Sequence, residues 1–247
     1  MAASLPAKKR QEYFVINRNT FFMSVRVLLV TATESESESL KRIPEIEISS
    51  ETFLLGKCEV SLLITGVGSM ATSWAMTKWL SSNLKPDLVI NIGIAGSFST
   101  DISIGDVVVP VSDCFADAGL ETGNGFITLE EAGLADPDRF PFTRGRIVAE
   151  NKYIASALTF LKPAKAITVN SATGSEITIE RLLKKYNPDI ETMEGATFFY
   201  ICSGGKLPFL ALRSISNRVE PRNKDKWDIP LALNNLSEKL REFLLMI

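Results

Sequence analysis

Asp87-Leu-Val-Ile-Asn-Ile-Gly-Ile-Ala-Gly96 follows a Lys85-Pro86 boundary and stays apolar almost without interruption until it reaches small residues. A run with no polar residue at every second position belongs to a strand covered on both faces. Such strands build parallel sheets with helices packed over them. The reading is a buried strand over Asp87 to Asn91 leading into Gly93-Ile94-Ala95-Gly96.

The pattern continues on both sides of this stretch. Val25 to Thr31 and Glu59 to Thr65 read as strands, the second ending at Gly66-Val-Gly68. Met70 to Leu84 reads as a helix with Trp74, Trp79 and Leu80 as its apolar residues, stopped by the residue before Pro86. Downstream, Gly105 to Pro110, Ala166 to Asn170 and Phe209 to Ser214 read as strands. Ile177 to Tyr186, Gly195 to Gly204 and Leu231 to Leu245 read as helices. Asp117 to Arg146, rich in Gly, Pro and acidic residues, reads as a long loop with a short helix from Leu129, beside the site or at a subunit contact. Strands alternating with helices predict a single-domain three-layer α/β/α fold with a central mixed, mostly parallel sheet. The domain is expected over 23–247, with 1–22 a dispensable extension.

The chain has 247 residues, is 45% hydrophobic and 23% charged, and carries a net charge of -2. This balance suits a soluble globular protein and offers no cationic excess for a phosphate backbone, so nucleic acid is not an expected partner. No apolar run reaches the roughly 20 residues that span a bilayer. Residues 1–22 contain Lys8, Lys9, Arg10 and Arg18 but no apolar core of a secretory signal. The three cysteines, Cys58, Cys114 and Cys202, are odd in number and lack metal-ligand spacing, which predicts reduced core residues in a cytoplasmic protein. Histidine is absent from the sequence, which excludes Ser-His-Asp and Cys-His catalysis and a histidine-bound zinc. Acid-base chemistry falls to carboxylates, lysine, tyrosine or water, with no metal or organic cofactor expected.

Three polar clusters follow strands: Thr33-Glu-Ser-Glu36, Thr192-Met193-Glu194 and Ser216-Asn217. Beyond strand ends is where α/β enzymes usually bind ligands. Each cluster also has a plainer reading. Glu36 suits a solvated helix start, Glu194 a helix cap and Asn217 a turn.

Taken in order, Thr65-Gly-Val-Gly68, Val89-Ile-Asn-Ile-Gly-Ile-Ala-Gly96, Ile104-Gly-Asp-Val-Val-Val109, Ala172-Thr-Gly174, Glu191-Thr-Met-Glu194 and Arg213-Ser-Ile-Ser-Asn217 resemble the purine nucleoside phosphorylase and nucleosidase superfamily over Met23 to Ile247. The closest general likeness is to its hydrolytic branch, the nucleosidases. The resemblance implies that Glu36 orients and deprotonates water, Met193 packs beneath a ribose and Glu194 accepts from its hydroxyls. It implies that Ile177 and Thr178 flank the base, Ile177 by apolar contact and Thr178 through its backbone. Gly93 and Gly96 keep the backbone near the ligand. It also implies a homodimer with part of Asp117 to Arg146 near the partner's site.

The positions resembling a phosphorylase's arginine and serine phosphate ligands hold Asn91 and Ile94, which supply no charge. The Gly-Asp-Pro-x-Arg segment of bacterial phosphorylases is replaced by Thr31-Ala-Thr-Glu-Ser-Glu36. Water is therefore the expected nucleophile. Adenine-specific nucleosidases carry aspartate where this chain has Asn217, whose amide can donate to N7 and to a 6-oxo group. With Arg218-Val-Glu-Pro-Arg-Asn-Lys-Asp-Lys-Trp227, Phe115-Ala-Asp117 and Asn91 to Gly96, this resembles the futalosine hydrolases of menaquinone biosynthesis. Their substrate is an inosine-type nucleoside bearing a carboxylate, for which Arg222 is the first candidate ligand and Arg218 the second. Pairing of either arginine with Glu220 or Asp225 is the plainer alternative. An adenine-releasing nucleosidase and a non-catalytic nucleoside-binding protein remain the competing functions.

Overall fold

The computed structural model describes residues 24–46, 52–123, 125–221 and 223–247. The 1–22 extension and Arg222 thus lie outside the described residues. In chain order the elements are β1 (Val25–Thr31), α1 (Glu34–Glu38), β2 (Thr52–Leu55), β3 (Cys58–Ile64), α2 (Ser69–Ser82), β4 (Leu88–Ser97) and β5 (Val107–Asp113). They continue with β6 (Gly119–Thr122), β7 (Gly125–Thr128), β8 (Phe142–Thr143), β9 (Arg146–Val148), α3 (Lys152–Ala157), β10 (Lys162–Thr168) and α4 (Glu176–Tyr186). β11 (Ile190–Thr192), α5 (Gly195–Gly204), β12 (Phe209–Arg218) and α6 (Ile229–Met246) complete the fold.

The fold is α/β and its main sheet is mixed. β3, β1, β4 and β12 run parallel to their neighbours in this group, as do β5, β10 and β11 in theirs. Antiparallel pairings of β11 with β4 and of β12 with β5 join the two groups. β4, β12, β5, β10 and β11 therefore close into a ring. Its interior holds small and branched side chains: Ala95, Val108, Ala164, Ala166, Ile190 and Ile215 form one buried cluster. The larger core gathers Leu28, Ile90, Phe198, Phe209, Leu236 and Phe243 from sheet and helices.

β4 is the strand read from the opening stretch, but it runs on through Gly96 to Ser97 because β12 and then β11 pair with its far end. β12 likewise passes Ser214 and reaches Arg218, with a register shift between Ile215 and Asn217. Such a bulge re-aims side chains locally. Asn217 is therefore a strand residue, not a turn residue. The segment from Asp117 to Arg146 forms the β6–β7 hairpin and the short strands β8 and β9, with turns where a helix from Leu129 was expected. Trp74 departs from expectation too: it is 71% exposed on α2. The cysteines are free and buried. Among the described residues no helix is long and apolar enough to cross a membrane.

Candidate active site

A cavity of about 360 Å³ opens at the ends of β1, β4, β11 and β12. Its lining includes Thr33, Glu36, Ile94, Ala95, Gly96, Thr173, Glu191, Met193, Glu194, Ser216, Asn217 and Arg218. The three polar clusters of the sequence thus share one wall system. Gly93 is buried just behind it.

Glu36 combines the plain reading with a place in the cavity. Thr33 caps α1, taking the Glu36 N–H at 3.2 Å, while the Glu36 carboxylate accepts the Thr33 N–H, a reciprocal capping box. The carboxylate is not solvated, since the residue is only 8% exposed. Its Oε2 accepts from Ala32 N at 3.0 Å, Thr33 N at 3.0 Å and Thr33 Oγ1 at 3.1 Å. Oε1 accepts one bond, from Ile94 N at 3.2 Å. The anion is held in place while Oε1 retains acceptor capacity. A Cβ on Gly93 would stand 2.8 Å from this oxygen, so only glycine fits there without displacing the acid.

Glu194 is the N-cap residue of α5, yet its side chain makes no capping bond. Its Oε1 instead accepts from Gly68 N at 2.9 Å, leaving other lone pairs of the carboxylate unused by that bond. Burial raises its pKa, opposed by the Gly68 N–H and by Arg213. The helix start is capped from elsewhere. Gly195 N donates to Thr192 Oγ1 at 3.2 Å and Ala196 N to Thr168 Oγ1 at 2.7 Å. Thr168 Oγ1 in turn donates to Asp113 Oδ1 at 3.0 Å. Asp113 is fully buried, and desolvation pushes its carboxyl up to about 7. Its Oδ2 has no hydrogen-bond partner, and a side chain on Gly195 would collide with it. Thr168, Thr192 and Asp113 thus take over the capping of α5 and free Glu194 for the cavity.

Asn217 accepts from Ser216 Oγ at 2.8 Å and donates through Nδ2 to Arg218 O at 2.9 Å. One amide N–H and one Oδ1 lone pair stay uncommitted by these bonds. Arg218 lines the cavity but gives Nη1 to Ser97 Oγ at 3.2 Å and to Ser99 O. Glu220, one of the two plainer partners for Arg218, pairs instead with Lys226 at 2.9 Å. Ile177 and Thr178 are not brought to the cavity lining. Ile177 is 83% exposed on the first turn of α4, and the Thr178 N–H donates to the Ser175 hydroxyl at 3.3 Å.

Asn91 does not face a ligand either. Its Nδ2 donates to Val30 O at 3.0 Å, and its Oδ1 accepts from Arg213 Nη2, which ties β1, β4 and β12 together beneath the cavity. Arg213 is the residue that sequence reasoning missed. It is 1% exposed, and its Nη1 donates to Asn91 O at 2.9 Å and Leu212 O at 3.0 Å. Burial lowers its pKa, while the charges of Glu194, Glu36 and Asp113 hold it up. An isolated arginine in the apolar run Phe209 to Ile215 was the available signal, because a buried cation needs acids nearby.

The chain matches the model of the phosphorylase superfamily over residues 26–245. It is 28% identical over 225 residues to the futalosine hydrolase of Streptomyces coelicolor, covering 87% of this chain and 93% of that one. It is 27% identical over 210 residues to the 5'-methylthioadenosine/S-adenosylhomocysteine nucleosidase of Buchnera aphidicola, covering 83% and 86%. The structure of the Helicobacter pylori futalosine hydrolase superposes with a TM-score of 0.74 at 18% identity, covering 91% of this chain and 99% of that one. The fold, the paired acids at the strand ends and these matches have one meaning: the chain belongs to the phosphorylase superfamily and is an enzyme of its N-glycosyl hydrolase, or nucleosidase, kind.

Proposed function

We propose that this enzyme is a futalosine hydrolase. It cleaves the N-ribosidic bond of futalosine with water and yields hypoxanthine and dehypoxanthine futalosine, a step of menaquinone biosynthesis. The observation that carries this reading is Asn217, an uncharged amide on the cavity wall with one N–H left for a ligand. Aspartate in that place suits adenine, whereas the amide, once its N–H to Arg218 O is released to the ligand, can donate to both N7 and the 6-oxo group of a 6-oxopurine.

In this mechanism Glu36 Oε1 takes a proton from water as its oxygen bonds to the anomeric carbon and the bond to N9 breaks. The sugar passes through an oxocarbenium-like state, whose positive charge the carboxylates near it, Glu36 and Glu194, stabilise electrostatically. Glu194 accepts from the ribose hydroxyls, and Met193 packs under the ring. Ile94, Ala95 and Gly96 form the wall beside it, and Ser216 fixes the Asn217 amide. That amide donates toward N7 as negative charge builds on the base, which then takes a proton from solvent. Buried Arg213 balances both acids from below, so it is spoken for before any phosphate arrives. The substrate carboxylate is assigned to Arg222 first and Arg218 second. The same reading carries a cytoplasmic homodimer.

The second reading is a methylthioadenosine/S-adenosylhomocysteine nucleosidase, favoured by a relative of that name at nearly the same identity. Base analysis separates the two. Purified enzyme supplied with futalosine, inosine and methylthioadenosine should release hypoxanthine from futalosine fastest, and Arg222→Ala should raise the KM for futalosine alone. Faster adenine release from methylthioadenosine would replace this reading with the second.

A further inference from the structure

Glu194 stands at a helix start without serving it. An N-cap side chain ordinarily accepts the N–H of the second or third helical residue. In α5 the second of these, from Ala196, goes to Thr168 Oγ1 at 2.7 Å, and the Glu194 side chain makes no capping bond. Thr168 is itself held on two strands. Its N–H donates to Cys114 O at 2.9 Å, its carbonyl accepts the Ala116 N–H at 2.9 Å, and it lies in register with Thr192 of β11. The Thr168 hydroxyl proton is directed to Asp113 Oδ1, which also accepts the Cys114 N–H at 2.8 Å, so the Oγ1 lone pairs are left for Ala196. Gly195 lets the helix begin this close, because only a residue without a side chain clears Asp113. Asp113 and Thr168 are both fully buried, and neither lines the cavity.

We propose that Asp113 and Thr168 are positioning residues for sugar recognition: by claiming the Ala196 N–H they keep the Glu194 carboxylate out of its own helix cap and at the Gly68 N–H, where it meets the ribose hydroxyls. This rests on the nucleosidase reading, which assigns the sugar to Glu194, and adds a pair that acts on the sugar only through that acid. Without the Thr168 hydroxyl the Ala196 N–H is left buried and unpaired, a state that costs stability. Glu194 is the residue whose place in the helix suits it to supply the missing acceptor. A carboxylate drawn back to cap α5 abandons the Gly68 N–H and the ribose hydroxyls together. Hydrogen bonds to an ionised acceptor are the strong ones, so the loss falls on the part of the substrate that Glu194 reads.

The test uses the full chain and the nucleoside that the wild type turns over fastest, futalosine by the reading above, with its 2',3'-dideoxy analogue as a competitive inhibitor. Thr168→Val keeps the shape of the side chain and removes its hydroxyl, so it reads the relay even where Asp113→Ala, which empties a buried site, fails to fold. Thr168→Val should lower kcat/KM by about tenfold, the size of one lost hydrogen bond to a charged group, while the inhibition constant of the analogue, which offers Glu194 no hydroxyl, stays within about twofold. Thr168→Ser, which keeps the hydroxyl, should restore most of the loss. Unchanged kcat/KM in Thr168→Val would overturn the proposal. So would equal losses for substrate and analogue, the mark of a general distortion, or a Thr168→Ser variant as impaired as Thr168→Val. A wild type that turns over no nucleoside would instead overturn the nucleosidase reading beneath it.

Discussion

At the scale of single residues, the site is a set of acids whose other obligations have been met elsewhere. Glu36 caps its own helix through Oε2 and keeps Oε1 for the cavity. Glu36→Gln preserves the shape and the acceptor oxygen on one side but removes the base. General-base contributions run about 10² to 10⁴ in rate, so kcat should fall by that factor while hypoxanthine affinity holds within about twofold. Near-native turnover in this variant would remove Glu36 from the chemistry. Asn217→Asp should shift kcat/KM away from 6-oxopurine nucleosides and toward adenine nucleosides by about tenfold, because a mismatched buried donor costs about 1 to 3 kcal/mol. A competition assay with inosine and adenosine reads this directly. Glu36, Met193 and Glu194 stood out in the sequence because each follows an apolar strand, and Asn217 because it stands where the apolar part of one ends. Arg213 was signalled only as a lone cation inside an apolar run, which does not show which acids it will meet. Ile177 and Thr178 were carried over from the resemblance, and the first turn of α4 holds Ile177 in the open.

At the scale of elements, boundaries set by local chemistry could be read and boundaries set by tertiary pairing could not. Helix α5 begins and ends where its glycines stand, and α4 ends where Asn187 adopts the left-handed conformation. β4 and β12 outrun their expected ends because their last residues pair with each other and with the short β11, partners remote in sequence. The hairpin of β6 and β7 was hidden for a related reason: its residues are exposed or half-buried and show no clear period. The start of α5 shows a device with no sequence signature, the relay from Ala196 N through Thr168 to buried Asp113. With its carboxyl pushed up to about 7, Asp113 favours the folded state most at low pH and loses that advantage as pH rises through about 7. Relative to Asp113→Asn, which cannot titrate, the wild type should lose about 4 kcal/mol of stability between pH 4 and 7.5. Urea unfolding of both proteins across that range measures it, and parallel pH profiles would show that Asp113 does not titrate with folding.

At the scale of the whole molecule, the closed ring of strands brings β4, β11 and β12 to one mouth, so residues from distant parts of the chain meet around one cavity. β1 adds Glu36 through the short helix that follows it. The architecture leaves the choice of nucleophile to local charge. Glu36 and Glu194 face the cavity, the buried arginine is committed to them, and Arg218 is committed through Nη1 to Ser97 and Ser99. Phosphate would enter beside carboxylates, at a like-charge cost. The most direct test is futalosine turnover in phosphate-free buffer and again with added phosphate, with base and sugar products identified. Water as nucleophile predicts hypoxanthine and a free reducing sugar at the same rate in both buffers. Turnover that depends on phosphate and yields a sugar 1-phosphate would contradict it.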